Sequence, residues 1–342
     1  IELAGRGFRV EIVERRPKRS DTGKATGINL YCSQWLAKRG IELHDKAMPM
    51  RRFVFHDDNK LVADVHVPLI NGCPPAYLFP QAELERRMES ALLKYDISVC
   101  RDLSLIGITG ESGMPGITLE RPDGSTINRE ADWVIGADGG HSALRQLLDT
   151  PFVGRDYPEH WQVAEVDTTT WDDSAQARLF LHSNGTGLFL SQPAPGIVQG
   201  ILNGPDVVGA IRDKLPDAKV RYVRDFRVAL RHVKHPCHGR FWLIGDAAHT
   251  QSPVGGQGLN LAIWDGITLG SQLGKKSSIE IERQLIANTR QTLRFTDFDY
   301  RMLSSRSRLI REARNAYWQA AASHPWIALW FFKLIAQNTK YP

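Results

Sequence analysis

The sequence predicts an α/β fold that is interrupted by a mostly antiparallel β-sheet and closed by a helical C-terminus. Three observations carry this. Two short apolar runs, "WVIGAD" and "WLIGD", each end in an acid and are followed by small residues, as buried strands of an α/β unit do. Between positions 161 and 232 lie short strand-like segments separated by Gly, Pro, Asn and Asp. After Gly266 the periodicity is helical to the end.

Taken in order, "IELAGRG" reads as the last turns of a helix stopped by Gly5 and Gly7, and "FRVEIVE" as a strand ending at Glu14. The expectation is that the sequence begins inside a βαβ unit, with a strand and a glycine loop ahead of Ile1 in the native protein. A helix follows near "YCSQWLAKRG", then strands over residues 51–67 and a break at "NGCPP". "PQAELERRMESALLKY" is an amphipathic helix: Leu84, Met88, Ala91 and Leu92 share one face, while Glu85, Arg86 and Glu89 point away. "ISVCRD", "ITLERPDG" and "DWVIGAD" are strands, with a turn at 122–124. The segments "WQVAEVD", "ARLFLHS", "GLFLSQP", "IVQGILN" and "VRYVRDFRVAL" form the inserted sheet, and "RFWLIGD" returns to a buried strand. One long polar helix is expected through "RFTDFDYRMLSSRSRLIREARNAYWQAAA".

With 342 residues, the chain exceeds what one small core needs. The expected division is a first domain over 1–50, 81–150 and 235–275, a sheet domain over 51–80 and 151–234, and a C-terminal helical segment over 276–342. At 42% hydrophobic and 24% charged residues, the composition is that of an ordinary globular protein. The net charge of +5 is spread over mixed-sign stretches, which argues against a nucleic-acid partner. Cys32, Cys73, Cys100 and Cys237 are far apart and form no CxxC pair, so a disulfide framework is not indicated and a reducing cytoplasm is expected. The tail "HPWIALWFFKLIAQ" is too short to span a bilayer; it is either a packed terminal helix or a peripheral contact with a membrane or partner.

Chemistry concentrates in "GDAAHTQSPVGGQGLN". Asp246 follows the carboxyl end of a buried strand, where open α/β sheets bind ligands, and an ionised Asp accepts hydrogen bonds from a sugar or polyol; the alternative is a turn cap. Pro253 and the glycines at 255, 256 and 258 let backbone approach a flat ligand, and a helix beginning near Leu259 points a positive dipole end at it. Gly245 and Asn260 bound this stretch. A ligand with a polyol arm and a ring that gains negative charge on reduction uses every part of it, and flavin fits. Ala262, Gly266 and Gly270 form a small-residue ridge for helix packing.

In "VIGADGGHSALR", Asp138 ends a strand, Gly139 turns the chain, and Ser142 can cap the helix carrying Arg145, beside a pyrophosphate or simply in a tight turn. Glu14 stands where a dinucleotide-binding unit places the acid for the adenosine ribose. The histidines in "HVKHPCHG" crowd around Pro236 in a way unsuited to tetrahedral ligation, so no metal is expected.

Together these stretches resemble the FAD-dependent aromatic hydroxylases of the p-hydroxybenzoate hydroxylase type, which are single-component flavoprotein monooxygenases. "GADGGHSALR" resembles the DG motif of that family and "LIGDAAHTQSPVGGQGLN" its GD motif. The resemblance implies a Rossmann-like FAD-binding domain interrupted by a β-sheet substrate domain. It implies that Glu14 holds the adenosine ribose, Asp138, Gly139 and Arg145 the dinucleotide, and Gly245 with Asp246 the ribityl chain. Pro253 would border the flavin, and Gly258, Leu259 and Asn260 would present backbone to its pyrimidine side. Gln81 resembles a glutamine that reaches the cofactor, and Gly27 matches a mobile flavin-proximal segment whose usual arginine has only Lys24 as a loose stand-in. NAD(P)H would reduce FAD transiently, dioxygen would add to form a flavin hydroperoxide, and an aromatic small molecule would receive one oxygen. Tyr77, Phe189, Gln192 and His182 are candidates for the substrate pocket, with no catalytic base assigned. The rival readings are another flavin oxidoreductase (a reductase or halogenase-like enzyme), or a flavin-free remnant acting as a binding protein.

Overall fold

The computed structural model describes residues 1–23, 26–110, 113–172 and 177–337; Lys24 therefore lies outside the described residues. The helices are α1 (Glu2–Gly5), α2 (Leu30–Lys38), α3 (Gln81–Leu92), α4 (Ala143–Leu147), α5 (Val207–Arg212), α6 (Gln257–Gln272), α7 (Ser278–Leu303), α8 (Arg308–Ser323) and α9 (Pro325–Gln337). The fold is α/β with a helical C-terminus, as the sequence predicts.

Seven strands form the largest sheet, in the order Lys219–Phe226, Trp161–Asp167, Ile197–Leu202, Gly187–Ala194, Ala177–Leu181, Arg52–Asp57, Lys60–His66. Every neighbouring pair is antiparallel except Ala177–Leu181 with Arg52–Asp57, where Leu179 lies opposite Phe55 in a parallel register. The two-residue period of a strand sends Leu179 and Phe180 to opposite faces. Leu179, Phe53 and Phe55 pack with Trp318 of α8 and Phe332 of α9. Phe180, Leu188 and Val198 pack with Val207 and Ile211 of α5 on the other side.

The α/β part is made of short parallel pairs. Ile12–Val13 pairs with Val99–Cys100, and Val134–Gly136 pairs with Phe241–Leu243, placing Gly136 opposite Leu243. This second pairing sets the two acid-bearing loops side by side, although they are about a hundred residues apart in sequence. Beneath them α6 is sunk into the core, with Trp264 and Ile267 packed on Ile28, Leu36 and Leu84. Along the small-residue ridge, a Cβ on Gly245 would stand 3.2 Å from the Cβ of Ala262, and one on Gly270 would stand 2.6 Å from that of Glu2; a Cβ on Gly266 would meet nothing within 4 Å.

The single long polar helix expected near the C-terminus is two helices. α7 starts at Ser278, behind a capping box formed by Ser277 and Glu280, and stops at Leu303; α8 begins at Arg308. Serine favours helix ends because its hydroxyl competes for backbone groups, and the Ser304 Oγ donates to the Tyr300 carbonyl at 2.8 Å. α7 is also not polar all round, since Thr292, Leu293, Thr296 and Tyr300 are buried. Among the described residues, no helix is long and apolar enough to cross a membrane.

Candidate functional site

One cavity of about 2080 Å³ runs from the end of the Ile12–Val13 strand, between the two acid-bearing loops, to the face of the large sheet. All twelve residues singled out from the sequence line it: Glu14, Gly27, Gln81, Asp138, Gly139, Arg145, Gly245, Asp246, Pro253, Gly258, Leu259 and Asn260.

The loop after Phe241–Leu243 is held from below. Gly245 turns at φ 58°, its amide donates to Asp265 Oδ2 at 3.0 Å, and the same oxygen lies 2.6 Å from Nε2 of the buried His249. Asp246 follows in a tight turn at the cavity wall. Gly255 (φ 77°) and Gly256 (φ 63°) then lead into α6, which starts at Gln257, two residues before the sequence suggests. The amides of a first helical turn have no intrahelical partner, and here that turn faces the cavity through Gly258 and Leu259.

Asn260 is a junction. Its Nδ2 donates to the Gly27 carbonyl at 3.0 Å and the Gly256 carbonyl at 2.7 Å, and its Oδ1 accepts the Asn29 amide at 2.9 Å. The Gly27–Asn29 strand is thereby fixed to the start of α6.

In the other loop, Ser142 Oγ accepts the Arg145 amide at 3.0 Å and caps α4, while Asp138 Oδ2 accepts the Leu144 amide at 3.1 Å. The Arg145 side chain runs between the loops, donating to the Gly140 carbonyl at 2.7 Å and the Ala247 carbonyl at 2.9 Å over the ring of Phe152. Glu14 accepts the Arg16 amide at 2.9 Å, and Gln81, first in α3, donates to Glu85 at 2.8 Å.

Does a flat cofactor fit? Cβ atoms built on Gly27, Gly139 and Gly256 would touch no protein atom within 4 Å, yet all three glycines line the cavity. Bare backbone therefore faces open space on several sides of the crevice, which is what close approach to a planar ligand requires.

Towards the large sheet the lining becomes aromatic, with Trp161, Phe189, Phe226, Tyr300, Trp318 and Phe331. Of the four pocket candidates, Phe189 lines the cavity; Tyr77 packs edge-on to His44, and Gln192 and His182 lie outside the lining. Asp299 was missed from the sequence. It belongs to the inward stripe of α7 with Thr296 and Leu303, a spacing at which an acid is unexpected, and burial pushes its carboxyl up to about 7. Asp265 was missed too, although an acid on a helix as apolar as "LNLAIWDGITLG" was its signal.

A model of the family described as "FAD binding domain" matches residues 1–199 and 206–288. The chain belongs to the FAD binding domain family. Curated relatives include a rifampicin monooxygenase of Streptomyces venezuelae, 26% identical over 299 residues covering 80% of this chain and 60% of that protein. A 3-(3-hydroxy-phenyl)propionate/3-hydroxycinnamic acid hydroxylase of Burkholderia vietnamiensis is 28% identical over 284 residues, covering 76% and 51%. The chain thus spans about half to three-fifths of the length of these relatives. Among solved structures, the p-nitrophenol 4-monooxygenase of Pseudomonas putida superposes with a TM-score of 0.87 at 18% identity, over 100% of this chain and 95% of that one. At that identity the likeness establishes the fold, which is that of this family of FAD-binding proteins.

Proposed function

We propose that this chain is an FAD-dependent monooxygenase that hydroxylates an aromatic, electron-rich small molecule, with NAD(P)H as transient reductant and dioxygen as oxidant. The observation that carries the reading is the continuity of one cavity from a crevice of bare backbone to an aromatic compartment. A relative named as a 3-(3-hydroxy-phenyl)propionate/3-hydroxycinnamic acid hydroxylase supports the substrate class, and one named as a rifampicin monooxygenase supports the reaction type.

In this reading Glu14 takes the adenosine ribose, Asp138 and Gly139 border the diphosphate, and Asp246, behind Gly245, takes the ribityl hydroxyls. Gly27, Gln81, Pro253, Gly258, Leu259 and Asn260 surround the isoalloxazine. Arg145 acts by holding the two loops together rather than by reaching the cofactor. FAD supplies hydride acceptance and dioxygen activation when bound. The chain's own work is to orient: the first turn of α6 favours negative charge on the pyrimidine side, and the aromatic lining excludes water from the compartment.

The proposed division is a cofactor domain over 1–50, 81–150 and 235–275, a substrate domain over 51–80 and 151–234, and a helical segment over 276–342. Four free thiols support a reducing, cytoplasmic setting. Trp326 and Trp330, 69% and 62% exposed on α9, are the residues through which a peripheral membrane contact would be made.

The purified protein is expected to bind FAD and to release it on denaturation, and Asp246→Ala should weaken FAD binding by about tenfold or more, the size of a lost charge-assisted hydrogen bond. Phenols should stimulate NAD(P)H oxidation and gain one oxygen by mass. Protein that ignores added FAD would overturn the reading. Nicotinamide oxidation without oxygenated product would make it a reductase.

A further inference from the structure

Resting on the monooxygenase reading, we propose that Asp299 selects the substrate by accepting a hydrogen bond from a hydroxyl or amino group on the aromatic ring. The preferred substrates are then neutral phenols or arylamines, ahead of aryl carboxylates and of rings without a donor.

Three observations converge on this carboxyl. First, position: Asp299 lines the aromatic end of the cavity, and a Cβ on Gly255 would stand 3.9 Å from its Oδ2, so it sits where the compartment meets the loop that leads into α6. A ring reaching that loop passes the carboxylate.

Second, the carboxyl makes no hydrogen bond or ion pair to any described residue. Two positions earlier on the same helix, Asp297 is held by Arg155 at 2.5 Å, by the Tyr157 hydroxyl at 2.6 Å and by Arg301 at 3.1 Å. Half-buried at the cavity wall and without such partners, the Asp299 carboxyl keeps its acceptor oxygens available to a donor from outside the protein. Burial has already raised its affinity for a proton, and no neighbouring cation offsets that.

Third, the surroundings discriminate by charge. Among the described residues, helices α7–α9 and the seven-stranded sheet contribute no Lys, Arg or His to the lining. The lining guanidiniums that follow Phe226 are Arg227 and Arg231, the latter paired with Asp156, so an aryl carboxylate seated at the Asp299 end itself meets a carboxyl on α7. A neutral donor would instead satisfy the orphan acceptor.

The test is calorimetric binding of phenol, anisole and benzoate to the FAD-loaded full chain, in wild type, Asp299→Ala and Asp299→Asn. Anisole keeps the shape of phenol and cannot donate. Wild type should bind phenol about tenfold more tightly than anisole, one good hydrogen bond's worth, and benzoate more weakly still. Asp299→Ala should bring the phenol-to-anisole ratio close to one. Asp299→Asn, which keeps an acceptor oxygen, should retain part of the ratio while admitting benzoate more readily. Because the ratio is read within each folded protein, lost stability cannot imitate the result. A ratio unchanged in Asp299→Ala would overturn the assignment and leave the monooxygenase reading standing. Wild-type protein that holds FAD and binds anisole as tightly as phenol would likewise overturn the assignment, whereas the monooxygenase reading falls only with loss of FAD binding or of oxygenated product.

Discussion

His249 Nε2 and Asp265 Oδ2 lie 2.6 Å apart, both side chains are at most 2% exposed, and the same Oδ2 also accepts the Gly245 amide. This pair fixes the height of the turn that carries Asp246. Removing one partner of a buried pair leaves the other uncompensated, so Asp265→Asn should cost about 3–5 kcal/mol in chemical denaturation. FAD affinity should fall with it, because Asp246 loses its footing. A variant with an unchanged denaturation midpoint would show that the pair is dispensable.

The same pair makes stability depend on pH. Burial disfavours the charged imidazole, but the charge and hydrogen bond of Asp265, joined by the charge of Asp246 and a hydrogen bond with Gln251, together raise His249 above its ordinary 6.5. A group whose pKa is raised in the native state stabilises fully below the unfolded value and loses that contribution as pH rises through the native one. Melting temperatures of wild type and His249→Gln should therefore differ most below pH 6.5 and converge as the solution is made alkaline. A gap that widened with pH would mean that the ring is neutral in the native state.

Asn260 joins three backbone segments, and no other natural side chain of its size offers two donors and an acceptor in that arrangement. Asn260→Ala orphans one buried amide and removes a donor from two carbonyls, at a cost of roughly 2–4 kcal/mol. Hydrogen exchange gives a local readout. The Asn29 amide should become one of the most accelerated in the chain, whereas uniform acceleration would indicate global destabilisation only.

Local patterns made the two loops legible in the sequence: strand, acid, glycines and helix cap all fall within about a dozen residues, and each has its own conformational reason. What escaped was set by distant partners. Nothing local in "DWVIGAD" says that it pairs with "FWLIG", yet that pairing builds the crevice. Arg145 reads locally as a cofactor contact, and nothing local shows that it also donates to Ala247, 102 positions away. Asp265 and Asp299 sit on helical stripes otherwise apolar or small, and an acid there signals a partner without naming it. The break at 304–307 was legible in its serines, but the helical pattern on either side concealed it.

Acid sensitivity should arise at α3. The Arg86 side chain holds the Glu83 carboxyl at about 2, with Arg87 adding to the effect against partial burial, and Arg87 also reaches Asp45 at 2.7 Å and the Glu42 carbonyl. A depressed carboxyl stabilises above its ordinary 4.5 and loses that contribution as pH falls from there towards about 2. Glu83→Gln should thus be less stable than wild type at neutral pH and approach it in acid. Melting curves taken over that range would check the convergence, and curves that stay parallel would exclude Glu83 as a source of the acid response.

Arg145 tests whether the crevice depends on the spacing of its two loops. Its guanidinium donates to Gly140 in one loop and Ala247 in the other, a reach that needs the planar fork rather than a point charge. Lysine at this position keeps the cation and can satisfy one carbonyl, so Arg145→Lys should destabilise by about 1–2 kcal/mol, the cost of one lost buried hydrogen bond. FAD affinity should fall by about tenfold if the loops separate. Were Arg145 instead a direct charge partner of the diphosphate, lysine would preserve most of the affinity, and raising the salt concentration would weaken wild-type binding far more than that of Arg145→Ala. FAD titrations of the three proteins at low and high salt separate the two roles: a salt-independent loss in Arg145→Lys marks the loop clamp, and retained affinity with a steep salt dependence marks the ion pair.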